Sequence, residues 1–323
     1  MKKRILSGVQ PSGQIHLGNY LGAIRQHIAM QKDYECFLFI ADLHSLTTVK
    51  NAEKMRTLTH ELAVAYLALG LDVEKTIFFK QSDVSEHAEL CWIFNCLVTM
   101  PFLERGHAWK DAKNKGSKED SVGLFDYPVL QAADILLYSP DLVPVGSDQK
   151  QHVEMTRDIA IKFNSVFGEA FKLPEPKIEE DVALVPGTDG QKMSKSYGNT
   201  IDIFAEESVL KKQVMGIVTD SSSVESKKDP QKCNVFKLYK LIASPEETKD
   251  LESKYRNGGF GYGDAKKLLL QKILEHFANA RTRYNHLIAD KKHVSGVLKK
   301  GAIKAQKTAK ATLDKAKSLA GLR

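Results

Sequence analysis

Two stretches place side chains where a phosphate-bearing ligand could be held. Pro11-Ser12-Gly13-Gln14-Ile15-His16-Leu17-Gly18-Asn19 lies between a short apolar segment and a helix-like one. Glycine in such a turn lets a flat or phosphorylated ligand reach the backbone. The helix N-terminus that follows offers unpaired N–H groups and the positive end of a dipole. His16 and Asn19 are three apart, so both can face one ligand from the first turn. The second stretch is Gly190-Gln191-Lys192-Met193-Ser194-Lys195-Ser196-Tyr197-Gly198-Asn199. Its two lysines, three apart among hydroxyls and glycines, make a cationic loop that can close over a polyphosphate and neutralise charge developing in transfer. Taken singly, each stretch also has an ordinary reading: a capped turn with a surface histidine, and a solvated basic loop.

The elements that must position these groups alternate between strand and helix. Arg4–Ser7 reads as a strand ended by Gly8, and residues 18–31 as a helix. Cys36–Ala41 is a continuous apolar run, as expected of a strand buried on both faces. Ala52–Leu69 is helical and stopped by Gly70; Thr76–Phe79 is a third strand, Glu86–Leu97 a helix, Leu142–Val145 a fourth strand and Gln149–Phe163 its following helix. This alternation predicts an α/β fold, a doubly wound parallel sheet with helices on both faces. Ligands of such sheets sit beyond the carboxyl ends of the strands, which singles out the loops 8–19, 42–48, 80–86 and 146–149. Residues 101–128 interrupt the pattern with a polar, basic insertion around Lys110–Lys118. Beyond the lysine loop, Ala205–Val218, Val235–Ile242, Pro245–Tyr255, Ala265–Ile288 and Ser295–Leu319 read as helical, with a glycine-rich turn at Gly258–Gly263. The expected organisation is a sheet domain over residues 1–187, a helical domain over 188–290 and a basic helix over 291–323.

Composition narrows the function classes. Hydrophobic content of 42% and charged content of 27% fit a globular chain rather than a disordered one. No apolar run approaches the ~20 residues of a membrane helix, and no secretory core follows Met1-Lys2-Lys3, so a cytoplasmic enzyme is expected. Lys291–Arg323 holds ten basic residues and one acid, Asp314, a net +9 against +7 for the whole chain. A near-neutral body with one basic element is therefore the expectation. Cys36, Cys91, Cys96 and Cys233 have no zinc-like spacing, and buried free thiols are expected.

Together and in this order, the two stretches carry a resemblance. His16-Leu17-Gly18-Asn19 resembles the HIGH signature of class I aminoacyl-tRNA synthetases, and Lys192-Met193-Ser194-Lys195-Ser196 is their KMSKS signature letter for letter. The longer stretch from Ser7 to Ala23 looks like the tryptophanyl enzymes, as do Phe125–Tyr138 and Val143–His152. The related tyrosyl enzymes have a tyrosine on the first strand, absent from Arg4–Ser7, and an acid where this chain has Gln10. Gln131 cuts the other way, since many bacterial tryptophanyl enzymes have Met there.

The resemblance implies a Rossmann-type catalytic domain, a helical tRNA-binding domain and a tryptophan–tRNA ligase using ATP with Mg2+. It implies that Lys192 and Lys195 follow the departing pyrophosphate, and that His16 and Asn19 contact phosphate or ribose. Gln10, Pro11, Ser12, Gly18, Gly146, Ser147, Asp148, Val185, Met193, Ser194, Ser196 and Lys113 would complete the ATP site. Asp134, at the start of an apolar helix, would accept the indole N–H, a match that rejects analogues lacking the donor. Tyr127 and Gln149 would hold the α-amino group, with Gln131 and His44 in the same pocket. No bound metal is implied. The four-cysteine iron–sulfur variant is not expected, because Cys233 stands alone in the helical region. A homodimer is implied, and the terminal helix, with Lys300, Lys304 and Lys307 on one face and Ala302, Ile303, Ala305 and Ala309 able to pack, is expected to meet tRNA phosphate. The alternatives left open are tyrosyl specificity, a non-catalytic RNA-binding paralogue and a small-molecule nucleotidylyltransferase.

Overall fold

The computed structural model describes residues 2–106, 109, 121–146, 149–178 and 185–323. Five strands, β1 (Arg4–Val9), β2 (Glu35–Ile40), β3 (Thr76–Lys80), β4 (Leu142–Val145) and β5 (Glu175–Ile178), form one sheet in the order β3-β2-β1-β4-β5. Every pairing is parallel, with Ile5 opposite Cys36 on one side and Leu142 on the other. The chain runs outward from β1 to β3, then returns to start β4 on the other flank of β1. That reversal is the switch point at which open sheets bind ligands.

β2 reads Glu-Cys-Phe-Leu-Phe-Ile and is buried after its first residue, as the unbroken apolar run predicts. β5 was not expected from the sequence: its Glu-Pro-Lys-Ile has little apolar pattern. It lies at the sheet edge, where Pro176 need not donate to a further strand.

Helices cover both faces. The first, α1, runs through Leu17–Asn19, a π-helical Tyr20–Ile24 and Arg25–Met30. It is followed by α2 (Asp42–Ser45), α3 (Ala52–Leu69), α4 (Glu86–Asn95), α5 (Met100–Leu103), α6 (Val122–Leu136) and α7 (Lys150–Phe167). Because α6 starts at Val122 with Ser121 as its cap and runs through Pro128, Asp134 belongs to its last turn, not to the start expected. α8 (Glu207–Met215), α9 (Asn234–Lys240), α10 (Pro245–Asn257) and α11 (Tyr262–Ala289) form the helical part. α11 packs along α3, and Phe277 meets Tyr20 edge to face at 4.9 Å, so this part shares one apolar core with the α1–α3 side of the sheet.

The terminal helix α12 (Lys291–Leu319) folds back onto β3 and α4. Its small residues Gly301, Ala302, Ala305 and Ala309 are buried there. A Cβ on Gly301 would lie 1.8 Å from the Phe78 carbonyl oxygen, so only glycine lets the helix backbone press on this edge strand. Ile303, expected to pack, instead points outward and is 70% exposed. It follows the exposed lysine face because it lies one residue, about 100° of helix turn, from Ala302. Cys36, Cys91 and Cys233 are buried free thiols, while Cys96, contrary to expectation, is exposed near the end of α4. Among the described residues no helix is long and apolar enough to cross a membrane.

Candidate functional site

A cleft of about 1060 Å³ opens at the switch point between β1 and β4. Leu6–Gln10 and Ser12 line one side, Val143–Gly146, Gln149 and His152 the other. Tyr127, Gln131 and Asp134 of α6 form the floor, with His44 beside them.

Asp134 is 1% exposed and is the most tightly held group of the cleft. Its Oδ2 accepts from His44 Nε2 at 2.8 Å. Its Oδ1 accepts from Gln81 Nε2 at 2.7 Å and from His87 Nδ1 at 2.6 Å. Gln81 is itself fixed, because its Oε1 accepts the Leu43 and His44 amides at the start of α2. Burial alone would push the Asp134 carboxyl up; the hydrogen bonds from His44 and His87, with the charges of those rings, outweigh it and hold the group at about 2. An ionised carboxylate has about four acceptor positions. Three protein donors leave about one facing the cleft.

A second chain lies beside it. The Tyr127 hydroxyl is 2.6 Å from His152 Nε2, and His152 Nδ1 is 2.9 Å from Gln149 Oε1. The amide oxygen can only accept, so His152 carries its proton on Nδ1 when neutral, and the tyrosine hydroxyl donates to Nε2. Across the cleft, Ser7 Oγ is 3.0 Å from His27 Nε2, and His27 Nδ1 is 2.9 Å from the buried Tyr66 hydroxyl. Burial lowers His27 to about 4, so this ring is neutral at physiological pH.

The rim is built from the two stretches first singled out. His16 caps α1: its Nδ1 accepts the Asn19 amide at 3.3 Å, while Asn19 Oδ1 accepts the His16 amide at 3.2 Å. Instead of simply facing outward together, the two side chains brace one another. Because Nδ1 accepts, the neutral ring carries its proton on Nε2, which has no hydrogen-bond partner among the described residues and can donate to a ligand. Burial first, then the nearby Lys195, lowers His16 to about 4, against an upward pull from Asp202.

The lysine loop sits directly on this turn. Met193 is buried, its Sδ accepting the Gly18 amide at 3.3 Å, and its own amide donates to the Val185 carbonyl at 2.9 Å. Lys195 Nζ reaches Ser12 Oγ at 3.4 Å. Burial pulls the Lys195 ammonium down, opposed by Asp202 and Glu61. Lys192 and Ser196 are exposed. The loop turns around Asn199, 2% exposed, whose Oδ1 accepts the Ser194 amide at 2.7 Å and whose Nδ2 donates to Asp189 and to the Lys192 carbonyl.

The structure thus gathers Gln10, Ser12, His44, Tyr127, Gln131, Asp134, Gly146 and Gln149 around one cleft, and places His16, Gly18, Asn19, Val185 and the lysine loop at its Ser12 side. Pro11 is buried between Gln10 and Ser12. Ser147, Asp148 and Lys113 lie outside the described residues. Sequence reasoning did not assign roles to Gln81, His87, Tyr138, His152 or Asn199. Gln81 falls in the loop 80–86 at the carboxyl end of a strand, and Tyr138, His152 and Asn199 end the segments 125–138, 143–152 and 190–199; position was the available signal. Among the described residues no group of three or more His, Cys, Asp or Glu is placed to hold a metal ion. Chemically, a rigid carboxylate floor can read an N–H donor, and a rim of neutral imidazole and mobile cations can take an anion.

The family model for tRNA synthetases class I (W and Y) matches residues 1–278. The tryptophan–tRNA ligase of Fusobacterium nucleatum is 51% identical over 321 residues, covering 99% of this chain and 98% of the relative. Among solved structures, tryptophanyl-tRNA synthetase from Campylobacter jejuni complexed with ADP and tryptophan superposes with a TM-score of 0.94 at 47% identity, covering 98% and 99% of the two chains. The enzyme from Mycoplasma pneumoniae does so at 0.83 and 31%, covering 100% and 99%.

Proposed function

The chain belongs to the class I tRNA synthetases (W and Y), and from that premise we propose that it attaches L-tryptophan to tRNA(Trp) through a tryptophanyl-adenylate. The observation that carries the amino-acid choice is Asp134, a buried carboxylate with about one acceptor position left, on the floor of a cleft large enough for an amino acid and a nucleotide. Indole is a flat apolar body with one N–H donor. Full-length relatives carrying the tryptophan name support this choice over tyrosine.

In the first step the tryptophan carboxylate attacks the α-phosphorus of ATP. The new C–O–P bond forms as the bond to the bridging oxygen breaks, and pyrophosphate leaves. The attacking group is already ionised, so the protein need supply no nucleophile or base; it contributes position and charge stabilisation. Tyr127 and Gln149 hold the α-amino group, Gln131 and His44 border the indole, and Gln10 faces the carboxylate and α-phosphate. Gly146 borders the ribose and Val185 the adenine. The neutral His16 donates from Nε2 with Asn19 beside it, the Pro11–Ser12 and Gly18 backbone lies against phosphate, and Lys192, Met193, Ser194, Lys195 and Ser196 follow the leaving pyrophosphate. Ser147, Asp148 and Lys113 complete the nucleotide site. Mg2+ enters with ATP as part of that substrate. In the second step the 2′-hydroxyl of the terminal adenosine attacks the adenylate carbonyl and AMP leaves.

Lys300, Lys304 and Lys307 on the exposed face of α12 support a tRNA phosphate contact. A homodimer is supported by Trp92, Met100 and Val122, large apolar residues exposed on α4, α5 and α6, of which α6 packs against the other two helices. The assignment is tested by ATP–pyrophosphate exchange with each amino acid: tryptophan should stimulate it, and stimulation by tyrosine in its place would overturn the proposal. Lys195→Ala should nearly abolish exchange.

A further inference from the structure

We infer that His87 and Tyr138 are positioning residues for amino-acid selection: they fix the Asp134 carboxylate so that its remaining acceptor position points at the indole N–H. This rests on the reading of Asp134 as the indole acceptor. Neither residue lines the cleft, and both are wholly buried. His87 lies between the two, its Nδ1 at 2.6 Å from Asp134 Oδ1 and its Nε2 at 2.8 Å from the Tyr138 hydroxyl.

The roles of the protons follow from the groups. A carboxylate only accepts, so His87 carries a proton on Nδ1. When the ring is neutral it accepts at Nε2, and Tyr138, kept protonated by burial and by the nearby Asp134 and Glu86, is the donor. Tyr138 therefore locks the tautomer in which His87 can donate. Without that donor the buried Nε2 lone pair is left unsatisfied, and the ring can tilt out of line with Oδ1. The carboxylate would then rotate to find another donor, and the nearest competitor for its freed position is the indole N–H itself, taken at the wrong angle. Phe37, Phe39 and Phe79 pack around the His87–Tyr138 pair, so water has little access to substitute for the missing donor.

A merely structural role for the pair would weaken every substrate alike. A positioning role weakens only substrates that offer the N–H. The test compares L-tryptophan with its benzothienyl analogue, in which sulfur replaces the indole N–H, by kcat/KM in ATP–pyrophosphate exchange. His87→Ala should lower the tryptophan value about tenfold, the range of one buried hydrogen bond, and leave the analogue within about twofold. The near-isosteric Tyr138→Phe, which carries the test if His87→Ala does not fold, should show a smaller loss of about threefold with the same selectivity. His87→Asn keeps an N–H donor near Nδ1 and has no tautomer to lock. It should recover most of the tryptophan value, and adding Tyr138→Phe to it should lower nothing further. A parallel fall for both substrates, or no fall for either, would overturn the inference. If the unaltered protein itself did not prefer tryptophan to the analogue, the reading of Asp134 would fail instead.

Discussion

The floor and the rim of the cleft solve opposite problems. At the floor, Asp134 is sealed from water and held by three donors, each fixed in turn by Tyr138, by the α2 backbone or by the packing of α2. At the rim, Lys192 is exposed and the Lys195 ammonium, among the described residues, makes one long hydrogen bond, to Ser12. Buried charge without partners is expensive, so the floor must be complete before substrate arrives. A cation that is to meet a leaving polyphosphate gains from the reverse: few partners in the resting state and room to move. Choice of amino acid and acceleration of transfer thus sit in regions of different rigidity.

Removing the floor's centre should have the largest effect. Asp134→Ala leaves His44, Gln81 and His87 facing an empty space, a loss of about 3 kcal/mol or more of stability as well as the indole acceptor. Tryptophan-dependent exchange should become undetectable and Tm should fall; a variant with unchanged Tm would show that the floor is not the rigid part. Lys195→Ala should separate the two regions, lowering kcat for exchange about a hundredfold or more with Tm unchanged. A comparable change in the tryptophan KM would blur the division.

Acid should act on the rim through His16 and on the wall across from the floor through His27. His16 and His27 are lowered by burial from 6.5 to about 4, so the unfolded chain binds protons that the folded chain refuses. Stability should therefore rise with pH across that window and be lost as pH falls from 6.5 toward 4. Urea midpoints taken from pH 7 to 4 measure this, and His27→Phe should flatten the slope. The smallest effect is expected farthest from the cleft. Replacing Lys300, Lys304 and Lys307 with Gln should raise the tRNA KM and reduce the salt slope by about 2–3, while exchange, which needs no tRNA, is unchanged.

The two regions also differ in how far the sequence exposes them. The rim is local: His16–Asn19 and Lys192–Ser196 are contiguous, and each works through its own turn. The floor is assembled from residues 47, 53 and 90 positions from Asp134, and no spacing announces such partners. Pro128 is by type a helix-starting residue, which makes α6 read as beginning late and misplaces Asp134 on it. The central strands were legible because burial on both faces demands apolar runs. β5 was not, since an edge strand held by backbone pairing makes no such demand. Ile303 shows the same limit on α12: an apolar residue tells that something could be covered, not that anything covers it.

The seating of Gly301 on Phe78 has a consequence for synthesis. β3 emerges from the ribosome long before α12, and chains fold from the N-terminal side as they appear. Until α12 arrives, the sheet carries an open margin ready to pair with a neighbouring nascent chain. A protein placed here in the service of translation thus depends on translation reaching its distal helix before its own sheet is closed to strangers.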